Sequence, residues 1–239
     1  MQTTQRRVQR VRHELKRRNV EVAAVAPAGA GFRAITFAGE DLADFLSASF
    51  DDHVKFMVGD DVRRDYTPRR WDNAARTLTI EFALHGHGPA ASWARAAKPG
   101  DSAVIGGPRG SMIIPTDYDW HLLAGDASAL PAITRRLEEL PAGTRAIVIV
   151  QAEPEDRREL ASAAQVDLRW VRSEQEFVAA LRAQALPAGE GYAWAAGEAS
   201  VMKEVRGVLL QDKQHPKEAM RVAAYWKRGA AAHHENLED

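Results

Sequence analysis

The chain contains no cysteine. That excludes disulfides, thiolate metal sites and thiol nucleophiles, and it fits a reducing cytoplasm. It has no apolar run approaching the roughly 20 residues that cross a bilayer as a helix, so no membrane span is expected. It has almost no net charge, with 32 Lys and Arg against 33 Asp and Glu giving −1. A chain so balanced is not built to grip polyanions as a whole, so nucleic acid is not an expected partner. Any anion site must be a local concentration of basic side chains. The dinucleotide fingerprint G-x-G-x-x-G, the P-loop and the H-E-x-x-H zinc motif are all missing. His85 and His87 have no third ligand at useful spacing, and "HHE" near the end reads as a solvated tail, so no metal site is expected.

What is present is a chain of 239 residues, 45% hydrophobic and 27% charged, long enough for one large domain or two ordinary ones. Its start, "QRRVQRVRHELKRR", helps place seven Lys and Arg in the first 18 residues. It has no apolar segment of the secretory type. No aromatics interleave with the charges to stack on bases. It reads as a short solvated amphipathic helix leading into the first strand, with a basic arm for nucleic acid or acidic lipid as the alternative.

The hydrophobic period then divides the chain. Over residues 20–114 the signals are short and strand-like: two strands in "VEVAAVAPAGAGFRAITFAG", then "DHVKFMV", "RRDYTPRRW", "ARTLTIEFALHG" and "PGDSAVIGGPRG". Such spacing suggests a barrel or a sandwich, interrupted by one helical stretch, "GPAASWARAA". After "PTDYDW", short apolar runs such as "RAIVIVQ" and "YAWAAG" alternate with helical spacing in "ALPAITRRLEEL", "EQEFVAALRAQAL" and "ASVMKEVRGVLLQD". Strand and helix in alternation imply a parallel sheet with crossover helices. The expected domains are therefore 1–114, with the N-terminal helix, and 120–239, with Pro115 in the polar boundary.

Four stretches carry candidate chemistry. In "RRDYTPRRW", a strand would set Arg64, Tyr66 and Pro68 on one face, and Asp65, Thr67 and Arg69 on the other. A flat aromatic among backbone donors, a hydroxyl and guanidinium forks suits a planar ring carrying a diphosphate, and it also suits an ordinary surface strand. "HGHGPAASWARAA" begins a helix whose free N–H groups and positive dipole end suit a phosphate. "AGDASALPAI" places Gly125 at a strand end and Ser128 as a helix cap, where open α/β sheets meet nucleotides, and "WAAGEASVM" repeats the arrangement. "AAYWKRG" sets Tyr225 and Trp226 beside Lys227 and Arg228, which reads as a last strand or as a platform for a flat anionic ligand.

Taken in order, "DDHVKFM", "RRDYTPR", "HGHGPAASWA", "GDASALPAI", "WAAGE" and "YWKRG" resemble the siderophore-interacting protein family, flavin-dependent ferric-siderophore reductases of the ferredoxin-reductase-like superfamily. The resemblance spans nearly the whole chain. One departure stands in "GDASALPAI", where Ala127 replaces the acidic residue of the family pattern. The resemblance implies a six-stranded antiparallel FAD-binding β-barrel followed by an α/β parallel-sheet domain for NADPH or NADH. It implies FAD contacts from Arg64, Tyr66, Thr67 and Arg69, from His85, Gly88, Pro89, Ala90, Ser92 and Trp93, and from Tyr225 and Trp226 on a returning C-terminal segment. Gly125, Asp126, Leu130, Pro131, Gly197 and Glu198 would meet the nicotinamide cofactor. Lys55, Arg228, Arg109 and Lys227 would form a basic wall for an anionic ferric siderophore. A cytoplasmic monomer is expected. A reductase serving a protein electron acceptor, or a non-enzymatic flavin or siderophore carrier, are the alternatives.

Overall fold

The structure, a computed structural model, describes residues 7–59, 62–84, 88–230 and 235–236. The chain divides into two compact units, Met1–Pro115 and Thr116–Asp239.

The first unit contains β1 (Gln9–Arg12), β2 (Arg17–Pro27), β3 (Phe32–Ala38), β4 (Val54–Val58), β5 (Val62–Tyr66), β6 (Arg70–Asp72), β7 (Thr77–Ala83), helix α1 (Pro89–Ala96), β8 (Ser102–Gly106) and β9 (Gly110–Ile113). Seven strands form an antiparallel ladder in the order β5-β4-β8-β2-β3-β7-β6. The β2–β3 connection turns through Gly29 at φ 97°, a conformation that side chains with a Cβ resist. Alternation sends Val54, Phe56, Ile35, Phe37, Leu78, Ile80 and Phe82 to one face, where they form a common core. Each such side chain, fully buried, contributes roughly 1.5–3 kcal/mol. The ladder rolls so far that β5 reaches β7, although four strands lie between them.

Two details differ from the sequence reading. "RRDYTPRRW" makes two strands, because Pro68 has no N–H to donate and biases Thr67 before it, so pairing stops at Tyr66 and resumes at Arg70. The N-terminal helix expected from the basic segment is absent among the described residues. Gln9–Arg12 instead pairs antiparallel with β9, giving partners to its backbone polar groups. The following cations are held by the barrel surface: Lys16 Nζ lies 2.5 Å and Arg18 Nη2 2.9 Å from the Asp44 carboxylate.

The second unit contains β10 (Trp120–Asp126), a short 3₁₀ segment (Ala127–Ala129), α2 (Leu130–Glu139), β11 (Arg145–Gln151), β12 (Gln165–Val171), α3 (Glu174–Ala183), β13 (Gly191–Glu198), α4 (Ala199–Gly207), β14 (Met220–Trp226) and β15 (Glu235–Asn236). The order is β12-β11-β10-β13-β14-β15, with the first five parallel and β15 antiparallel. The near-continuous burial of β10, β11 and β13 is that of strands covered by helices on both faces. The chain adds β11 and β12 on one side of β10, then crosses to place β13 and β14 on the other. The reversal makes the C-terminal ends of β10 and β13 a topological switch point, where such sheets open to ligands.

Candidate functional site

In the first unit, the sequence-separated motifs around Tyr66 and Trp93 meet. The Tyr66 ring lies 4.4 Å from Phe82 and stands edge-on to Phe56 at 5.9 Å. Trp93, on α1, approaches Phe56 at 4.8 Å and stacks at 15° over Phe37. One aromatic cluster therefore supports both. Tyr66 keeps part of its surface open. Burial raises its phenol to about 12, so the ring stays neutral across the working range of pH. Arg64 lies two residues before it on the same face of β5, half-buried, with Nη1 donating to the Arg63 carbonyl at 2.8 Å.

Helix α1 presents its N-terminus without a side-chain cap. Gly88 is the N-cap and Pro89 the first helical residue. The early N–H groups have no intrahelical acceptor by construction, and Pro89 has none to satisfy. Among the described residues, nothing lies within 4 Å of a Cβ placed at Gly88, so there is room on that side of this end. The other end is tied down by Arg33, whose Nη1 donates to the Ala94 carbonyl at 2.9 Å. Pro89 and Ser92 are exposed and Ala90 is buried. His85 lies outside the described residues.

Arg69 differs from an open phosphate fork. Its side chain is only 5% exposed, and Nε donates to Glu81 Oε1 at 3.1 Å. Thr67 is buried as well. Glu81 was not among the sequence-derived candidates. It is the polar residue between Ile80 and Phe82 on β7, and it meets Arg69 only in the folded chain. Glu81→Gln is expected to lower unfolding free energy by about 2 kcal/mol, since it weakens a buried hydrogen bond between charged groups. Urea unfolding followed by circular dichroism measures this; a midpoint equal to wild type would refute it.

In the second unit, two carboxylates stand at the ends of β10 and β13, and one of them, Asp126, ties the two strands together. Asp126 accepts hydrogen bonds from the Ser128 N–H and hydroxyl, from the Glu198 N–H at 2.9 Å and from Trp226 Nε1 at 2.8 Å. Burial nevertheless raises its carboxyl above the ordinary range. Glu198 caps α4, accepting from the Ser200 N–H at 2.6 Å, the Ser200 hydroxyl and the Val201 N–H, and it also accepts from the Arg228 N–H at 3.2 Å. Burial alone would raise Glu198, but these donors hold it down to about 2, so the cap remains ionised at neutral pH. The two glycines here answer to packing. A Cβ at Gly125 would fall 2.4 Å from the Ala196 oxygen, and one at Gly197 would fall 2.6 Å from Asp126 Oδ2.

Of the residues expected to meet a nicotinamide cofactor, Leu130 is fully buried and Pro131 also lies inside the unit, because the first turn of α2 packs inward. Gly125, Gly197 and Glu198 are buried, and Asp126 is the one that retains exposure. Tyr225 packs edge-on to Trp194 at 6.2 Å, while Trp226 is 39% exposed.

The four candidate basic residues have different surroundings. Lys55 Nζ lies 2.6 and 2.7 Å from the two Asp65 oxygens. Arg228 Nη2 lies 2.5 Å from Glu174 Oε1. Arg109 and Lys227 are exposed.

Residues 118–229 match the siderophore-interacting protein family, and residues 60–112 match the siderophore-interacting FAD-binding domain. An NADPH-dependent ferric-chelate reductase of Escherichia coli K12 is 33% identical, covering 95% of this chain and 99% of the relative. The chain belongs to the siderophore-interacting protein family. A ferric vibriobactin reductase of Vibrio cholerae is 29% identical, covering 84% of this chain and 86% of the relative. Among solved structures, a siderophore utilization protein from T. fusca has a TM-score of 0.87 at 31% identity, covering 94% of this chain and 98% of that one. A ferredoxin reductase in carbazole 1,9a-dioxygenase shares the fold, with a TM-score of 0.68 at 19% identity over 90% of this chain and 70% of that one. The FAD-binding match in this siderophore-interacting protein includes Arg64, Tyr66, Arg69 and all of α1.

Proposed function

We propose that this siderophore-interacting protein is an FAD-dependent ferric-siderophore reductase, drawing electrons from NADPH or NADH and acting as a monomer in the cytoplasm. The observation that carries the reading is the convergence of Tyr66, Trp93 and the uncapped start of α1 on one aromatic cluster. These residues fit a flavin dinucleotide: a partly open ring for its planar system, and a roomy helix N-terminus for its diphosphate. Bound FAD supplies the chemistry that joins a two-electron hydride donor to one-electron acceptors.

The chain's own residues do the rest. Tyr66, held by Phe82 and Phe56, orients the flavin ring. Arg64 supplies charge on the same face. The N–H groups at the start of α1 hold the diphosphate, aided by the exposed Ser92. Arg69 supports this strand through Glu81 from within. The ends of β10 and β13 receive the nicotinamide cofactor, with Asp126 joining both strands to Trp226 and Glu198 holding α4 in place. Lys55 and Arg109 in the first unit, and Lys227 and Arg228 in the second, each offer positive charge to an anionic ferric chelate; their side chains carry donors only and are not metal ligands. Each NAD(P)H gives up a hydride, so two ferric ions become ferrous and one proton is released. The hard oxygen ligands of siderophores hold Fe(II) less firmly than Fe(III), so reduction frees the metal.

The purified protein is expected to be yellow or to become so with added FAD. Anaerobic NADPH or NADH should bleach the flavin band, and an anionic ferric siderophore should restore it while a ferrous indicator develops colour. Protein that takes up no FAD refutes the reading. Flavin that bleaches but returns only with a protein acceptor assigns the second substrate elsewhere.

A further inference from the structure

Lys55 does not stand free on its strand. In the β4–β5 ladder it lies directly opposite Asp65, and the ammonium sits 2.6 Å from Oδ1 and 2.7 Å from Oδ2. Alternation puts this pair on the face opposite Tyr66, Arg64 and Phe56. On the other side of Lys55 the paired residue of β8 is Gly106. Lys55 is thus unobstructed by a side chain from that strand, and it remains 52% exposed while Asp65 is 18% exposed.

The carboxylate is poorly served by the rest of the protein. Asp65 Oδ1 is buried and receives no directed hydrogen bond among the described residues, so its compensation is the nearby ammonium charge. His53 Nε2 lies 4.0 Å from Oδ2, within ion-pair range and beyond hydrogen-bond range. A ligand that draws Lys55 away must therefore leave a partly buried carboxylate undercompensated. It must also accept a negative charge next to the ammonium it uses.

We propose that Asp65 is a specificity-determining residue, the counter-ion from which an anionic ferric chelate must take Lys55. This rests on the reading that Lys55 faces the chelate. A chelate of high negative charge supplies enough attraction to open the pair. A neutral chelate has no charge to offer, leaves the pair closed and binds without Lys55. Asp65 makes the basic wall respond to substrate charge. It acts through Lys55 and touches neither iron nor flavin.

The test measures binding without turnover, using gallium(III) complexes in place of ferric ones: a trianionic tris-catecholate and a neutral tris-hydroxamate. Asp65→Asn is expected to tighten binding of the trianion about three- to fivefold, the size of a partly exposed ion pair, and to leave the neutral complex unchanged within error. Lys55→Gln should weaken the trianion by a similar factor. Adding Asp65→Asn to Lys55→Gln should recover less than half of the gain seen in wild type, because the lysine through which it acts is gone. Asp65→Glu should behave as wild type, which separates loss of the charge from general damage to β5. If Lys55→Gln leaves trianion binding unchanged, Lys55 is not at the chelate site, and both the placement and this inference fail. If Lys55→Gln weakens binding and Asp65→Asn does not tighten it, or if Asp65→Asn gains equally in both backgrounds or equally for the neutral complex, the placement stands and the counter-ion role is overturned.

Discussion

Tyr66→Ala is expected to give a folded protein that purifies largely without FAD. The wild-type ring is fixed by Phe82 at 4.4 Å and by Phe56 at 5.9 Å in an edge-on contact. Those contacts set its plane before any ligand arrives, so little ordering is needed on binding. Losing the ring removes roughly 0.5–1.5 kcal/mol of aromatic interaction with the flavin, in addition to the apolar area both surfaces bury. Together these amount to at least about a tenfold weaker dissociation constant. Titration of apoprotein with FAD, followed by quenching of flavin fluorescence, measures it. Tyr66→Phe keeps the ring and should keep most of the affinity. Because the phenol stays neutral to about 12, this contact should contribute no pH dependence to FAD binding near neutrality. Wild-type flavin content in Tyr66→Ala after dialysis would show that the ring does not support the cofactor.

Gly125→Ala is expected to have the largest effect on stability of any single methyl added at the switch point. The new Cβ would sit 2.4 Å from the backbone oxygen of Ala196 and 2.5 Å from the Ala129 Cβ. Gly125 and Ala196 are paired across β10 and β13, so the obstacle is strand backbone, which cannot swing aside as a side-chain tip can. Relief requires the two central strands or the turn after β10 to shift. Overpacking of this kind costs about 3 kcal/mol. For a unit of this size that lowers the melting temperature by about 10 °C. Gly207→Ala is the control: it ends α4, and its Cβ would meet nothing within 4 Å. It should be neutral or slightly stabilising, since Ala is the better helix former by up to about 1 kcal/mol. Calorimetry on both variants decides the matter, and equal melting of Gly125→Ala and wild type would show that the close approach is dispensable.

Much of the architecture is local and is therefore written in the sequence. A period of two in "TLTIEFA" becomes β7 with Leu78, Ile80 and Phe82 inside. The continuous apolar run "RAIVIVQ" becomes β11, covered on both faces. Alternation of strands with helical spacing after Pro115 becomes the parallel sheet. Pro68 interrupts its strand for a reason visible in one residue, although the sequence reading ran the strand through it. The motifs around Tyr66, Gly88 and Gly125 were legible for the same reason: each is a short segment whose chemistry is set by neighbours in the chain.

What only the tertiary structure decided is the partner of each charge. Lys55 meets Asp65 through strand register, Arg228 meets Glu174 from 54 residues away, and Trp226 meets Asp126 from 100 residues away. Helical spacing marked "ALPAITRRLEEL" as a helix without assigning partners to its charges. The fold buries Arg135 and Arg136 and compensates them with Glu139 at 2.9 and 3.6 Å. It likewise turns Leu130, which the resemblance implied would meet the nicotinamide cofactor, inward, and it pairs the basic N-terminal segment with β9 instead of leaving it as a solvated helix. Hydrophobic period reports which face of an element is buried, because apolar burial is non-directional and sums along the chain. Which carboxylate neutralises which cation depends on distances of a few ångströms between segments far apart in sequence, and the Coulomb energy that selects them exists only once the fold has brought them together.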